Sequence, residues 1–130
     1  MPREIIDVPV ISAAILRLGA PTSAVVRFGD LVMTCGMPPI DPVTGEIVEG
    51  DIRTQTRAVL EALRVTLEHA GSSLDKVIKA TVYVTDPSLM ADVNEVYRSY
   101  FHDGFPARTS AAIKPWPLSF DIEIECVAIV

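Results

Sequence analysis

The chain has 130 residues, 49% of them hydrophobic, and a formal net charge of −6. That length and apolar content are enough for one packed domain over residues 1–130, and they exclude a disordered chain. The acidic balance, with an isoelectric point near 4.8, argues against a dedicated binder of nucleic-acid phosphates, and no apolar run reaches the ~18–20 residues of a membrane span.

The opening MPREIIDVPV has acidic residues and no apolar signal-peptide core, so the expectation is a cytoplasmic protein with no export signal. Cys35 and Cys126 each lie in an apolar strand pattern and are expected to be reduced, buried thiols. His69 and His102 are the only histidines, and no Cys/His cluster has ligand spacing, so no metal is expected.

The Asp7–Leu18 region is expected to supply an extra strand. Ala24–Phe28 and Leu31–Gly36 then read as a β-hairpin around Gly29-Asp30, a pair that tolerates positive φ. The following PPIDPVTGEIVEG, with three prolines and two glycines in thirteen residues, marks a loop or a short hairpin around Thr44-Gly45.

From Ile52 to Ala70 the period becomes helical. Val59, Leu60, Leu63, Leu67 and Ala70 form the apolar stripe, with Asp51 as N-cap and Gly71 as terminator. Arg53, Arg57, Glu61, Arg64 and Glu68 occupy the opposite, solvated face.

Lys76 to Thr85 alternates, with Ile78, Ala80, Val82 and Val84 facing one way. Asp86-Pro87 opens a second helix with the stripe Met90, Val93, Tyr97, Tyr100 and Phe101, and Asn94 at its margin. Two final strands, 107–113 and 120–129, are joined by KPWPLS. The order β-β-α-β-α-β-β predicts an α/β (α+β) domain, a single sheet with two helices packed on one face.

In the last strand Ile122, Ile124, Cys126 and Ala128 suit the helices, while Glu123, Glu125, Val127 and Ile129 face the other way. Large aliphatic groups on a face without helices call for a cover, and a second copy of the chain supplies one. If the two final strands pair antiparallel, Arg108 shares that open face with Glu123 or Glu125. Two readings then stay open: a structural ion pair, or a pocket in which Arg108 grips a substrate carboxylate and a glutamate handles water.

The segments GDLVMTCGMPPIDPVTGEIVEGDIRTQTRAVLEAL, VIKATVYVTDPSLMADVNEVYRSYF, FPARTS and IEIECVAI, in this order, resemble the RidA/YjgF family of enamine/imine deaminases. The resemblance covers the chain after about Pro21. It implies the YjgF (chorismate-mutase-like) fold with a mixed sheet, assembled as a homotrimeric barrel with a cleft at each subunit junction. The implied reaction is cofactor-free hydrolysis of a 2-imino or 2-enamino acid, of the 2-aminoacrylate or 2-iminobutanoate type, to a 2-keto acid and ammonia. By the same resemblance Arg108 grips the carboxylate, Glu123 serves the hydrolytic water, and Asn94, Cys35 and Gly36 border the cleft.

This chain departs from the family at three places. Thr22 and Ser23 stand where many deaminating members have a tyrosine, Cys35 where serine is common, and Ser110 where cysteine is common. Thr22 and Ser110 are therefore candidate substrate contacts in a roomier pocket. The changed walls leave a larger enamine such as 2-aminomuconate as an alternative substrate. A non-catalytic trimer binding small carboxylates is the competing class. Ribonuclease activity, attributed to some relatives, is disfavoured by the acidic balance and the lack of a basic or aromatic track.

Overall fold

The computed structural model describes residues 2–130. Its elements run β1 (Glu4–Ile6), α1 (Ile11–Arg17), β2 (Val25–Phe28), β3 (Leu31–Thr34), α2 (Ile52–His69), β4 (Val77–Val84), α3 (Met90–Arg98), β5 (Ala107–Ala112) and β6 (Ile122–Ile129). They build one six-stranded mixed sheet in the order β1-β2-β3-β6-β4-β5. Every pairing is antiparallel except β4 with β5, which α3 connects as a parallel crossover. Among the described residues no helix is long and apolar enough to cross a membrane.

Local chemistry sets the boundaries. Gly29 turns the β2–β3 hairpin at φ 58°. The Asp51 side chain accepts the Thr54 N–H at 2.8 Å, and Asp86 caps a short 3-10 turn (Pro87–Leu89) by accepting from Ser88 N–H. α2 buries Val59, Leu60, Leu63 and Leu67, and β6 buries Ile122, Ile124, Cys126 and Ala128 in the same core.

Three expectations change. The Asp7–Leu18 region holds a helix, and the extra strand lies before it at Glu4–Ile6. The reason is helical spacing: Ile11, Ala14 and Ile15 are all buried, as i, i+3 and i+4 positions require, while the Val8 N–H donates to Ser12 Oγ. Ile78 is 46% exposed, because the β4–β6 register shifts between Val77 and Lys79 and puts Val77 on the buried side instead.

The third change matters most for the site. β5 and β6 are not neighbours, because β4 runs between them. Arg108 pairs with Ala80, and Ala80 with Cys126, both buried, so Arg108 lies on the helix side of the sheet. Glu123 pairs with Tyr83 on the opposite face. The shared open face expected for Arg108 with Glu123 or Glu125 does not exist within one chain.

Candidate functional site

The sequence-predicted residues fall into two groups. The first lies at the β5 edge, where α3 packs beside the strand. Arg108 Nε donates to Ser110 Oγ at 2.9 Å, since residues two apart on a strand share a face. Its Nη2 donates to Asn94 Oδ1 at 2.6 Å and approaches Met90 Sδ at 3.3 Å. The guanidinium carbon sits 4.6 Å from the centroid of the Tyr97 ring, a cation–π stack. Tyr97 is itself steadied by Phe101, with ring centroids 4.6 Å apart.

All these partners are neutral. Among the described residues the ion pairs join Arg53 to Asp92 and Glu95, and Arg64 to Glu61 and Glu68, and none involves Arg108. Burial lowers the Arg108 pKa from its ordinary value, with no carboxylate to offset it. The Arg–Glu ion pair left open by the sequence is therefore absent, and a positive fork faces a cavity of about 390 Å³ lined also by Phe105, Pro106 and Arg98.

The second group lies where β3 ends and β6 begins. Thr22, Cys35, Gly36, Glu123 and Glu125 line a separate cavity of about 500 Å³. A Cβ at Gly36 would collide with Oε1 of Glu123, so the glycine is what admits the carboxylate. Burial, then the neighbouring Glu125 carboxylate, pushes Glu123 up to about 7. Glu125 is engaged differently: the Tyr83 hydroxyl donates to its Oε1 at 2.9 Å. Glu123 is thereby poised to exchange a proton near neutrality.

The Cys35 thiol resists ionisation. Burial foremost, then Glu123, pushes its thiol up to about 12, so no thiolate is present at working pH. Cys35 and Cys126 are both free thiols. Thr22 is exposed and its hydroxyl donates to the Ser23 carbonyl at 3.3 Å, the local backbone bonding usual for such a residue, while it also lines the cavity. No group of three or more His, Cys, Asp or Glu able to hold a metal is found among the described residues.

Several residues of these cavities were not singled out by sequence reasoning. Tyr97 and Met90 read as plain helix stripe, yet they carry Arg108. Ile15 and Leu18 were hidden in the misread strand, and Trp116 lay in the KPWPLS connection; all three wall the Glu123 cavity. Only the i, i+4, i+7 run Met90, Asn94, Tyr97, aligned with a strand arginine, could have signalled the first group.

The sequence profile of the family described as Endoribonuclease L-PSP matches residues 14–130. A RutC family protein of Pyrococcus horikoshii is 47% identical over 108 residues, which are 83% of this chain and 86% of that one. A Yersinia pestis protein of the conserved Rid family superposes with a TM-score of 0.89 at 34% identity, covering 99% of this chain and all of that one. Escherichia coli TdcF, crystallised with bound serine, gives a TM-score of 0.79 at 33% identity over 85% of this chain and 89% of its own.

Proposed function

The chain belongs to the Endoribonuclease L-PSP family, the RidA/YjgF group, and on that premise we propose that it hydrolyses 2-imino and 2-enamino acids to 2-keto acids and ammonia. The observation that carries this reading is the Arg108 guanidinium, held by neutral groups alone and left without an anion of its own chain. A bidentate fork of that kind suits a small carboxylate. The serine held by TdcF is a small carboxylate of the same class.

Arg108 and Glu123 stand on opposite faces of the sheet and line different cavities, so a small acid does not touch both in one protomer. The reading therefore requires assembly: the Arg108 edge of one copy meets the Glu123 end of the next, in a homotrimer. The open face supports it, since paired Leu31 and Ile129 are 37% and 42% exposed and Met33 beside Val127 is 43% exposed. A heterologous contact that closes into a ring repeats one composite cleft at every junction.

In the composite cleft Arg108 holds the carboxylate and fixes one face of the protonated C=N bond. The ionised Glu123 takes a proton from water as its oxygen adds to C2, giving a carbinolamine. That proton passes to the amino nitrogen, the re-ionised Glu123 takes the hydroxyl proton as the C–N bond breaks, and the departing ammonia carries that proton off as ammonium, leaving a 2-keto acid and an ionised Glu123. An enamine enters the same route once C3 is protonated to give the imine. Positioning plus one acid–base group supplies a factor of ~10²–10⁴, enough for a reaction already quick in water.

The test is 2-keto acid formation from 2-aminoacrylate or 2-iminobutanoate generated in situ by a dehydratase, above the spontaneous rate. Loss of that excess in Arg108→Ala is expected. Equal rates for both proteins contradict the role given to Arg108.

A further inference from the structure

Within the deaminase reading, the walls around Glu123 speak about the rest of the substrate. Two carboxylates, Glu123 and Glu125, line that cavity, and no cationic side chain stands among its described lining residues. A second acid group on the substrate would meet like charge with no counterion, which disfavours a dicarboxylate such as a muconate. Much of the remaining lining is apolar: Ile15 of α1, Leu18 just after that helix, and Trp116 and Phe120.

These walls are anchored. Phe120 is 2% exposed, and the Trp116 indole packs on it with centroids 5.1 Å apart, so the indole rests on a buried ring rather than standing free in its loop. Ile15 is buried in the same core as β6, which fixes its part of the lining. In the single chain the cavity is about 500 Å³, more than a three-carbon acid fills, and the Arg108 edge of the next copy would close its open side. With the carboxylate drawn to Arg108 and the C=N carbon over Glu123, the substituent on that carbon is what remains to occupy this space.

We propose that the preferred substrates are imines of amino acids with a bulky, uncharged apolar side chain, aromatic or branched aliphatic, and that Trp116 is the residue that selects them. Filling a dry apolar wall discriminates by about tenfold per added group or more. The small polar Thr22 leaves the entrance open to such a substituent.

The experiment compares imines made in situ by an amino-acid oxidase from phenylalanine, leucine and alanine, scored as kcat/KM above spontaneous hydrolysis. A phenylalanine-to-alanine ratio of about ten or more is expected for the wild type, falling about tenfold in Trp116→Ala and little in Trp116→Phe. Leu18→Ala, at a half-buried position lining the same cavity after α1, lowers the same ratio and guards against a folding defect of the tryptophan variant. A ratio near one, or one that neither substitution moves, overturns the proposal. Calorimetry with phenylpyruvate and pyruvate separates the two readings. Tighter, Trp116-dependent binding of phenylpyruvate without turnover of any imine supports the wall and counts against deamination alone.

Discussion

Gly36 lacks a side chain where the Glu123 carboxylate needs the room: a Cβ at that position would collide with Oε1 of Glu123. The backbone of Gly36 is not in the left-handed region, so alanine meets no dihedral penalty there. The atom it would meet is the far end of a flexible side chain. Gly36→Ala is therefore expected to fold with a Tm close to wild type while displacing the carboxylate, lowering kcat by about a hundredfold with a smaller change in KM. A variant of full activity contradicts the placement of Glu123 over this glycine.

The raised pKa of Glu123 has a sign that can be checked twice. Burial and Glu125 lift it from 4.5 to about 7, so the folded chain favours the neutral acid. Its contribution to stability is therefore lost as pH rises from the unfolded value towards the folded one. Glu123→Gln should change Tm little at about pH 4 and raise it at about pH 8. As a general base the group works only when ionised, so kcat/KM should rise with pH through an inflection near 7 in the wild type. In the glutamine variant that limb is flat and the rate is lower.

Tyr97 serves Arg108 with its ring and not with its hydroxyl. The phenol oxygen is buried without a hydrogen-bond partner, whereas the ring lies 4.6 Å from the guanidinium carbon. Tyr97→Phe should be as stable as wild type or more so, since it removes an unsatisfied polar atom worth about 1–3 kcal/mol when buried. Tyr97→Leu keeps the apolar packing but loses the stack, and should raise KM several-fold more than it lowers kcat. Titration of a 2-keto acid against both variants checks the difference through Kd.

Much of this architecture was legible in the sequence because its local signals agree. Asp51 and Gly71 bracket α2, Gly29-Asp30 turns the hairpin, and the alternation of β6 sorts Ile122, Ile124 and Cys126 inward. What misled was adjacency. Consecutive strands usually pair, so β5 and β6 were expected side by side, but the parallel crossover through α3 places β5 beyond β4. That single topological fact moves Arg108 to the helix side and separates it from Glu123. Its consequences, the Tyr97 platform and the two distinct cavities, depend on contacts between elements far apart in sequence, which periodicity does not encode. The bulge at Ile78 and the short helix under Ile15 and Leu18 escaped for the same reason, as tertiary packing overrode a short local pattern.

The most direct test of the central claim uses two chains that are each disabled in one half of the composite cleft. Arg108→Ala and Glu123→Gln are each expected to keep only a small residual activity when assembled alone. Co-expressed at equal levels in a closed ring, about a quarter of the junctions pair an intact Arg108 edge with an intact Glu123 end, so about a quarter of wild-type activity should return. Mixed assemblies, verified by differential tags, that stay at the residual level of their parents would contradict a site shared between copies.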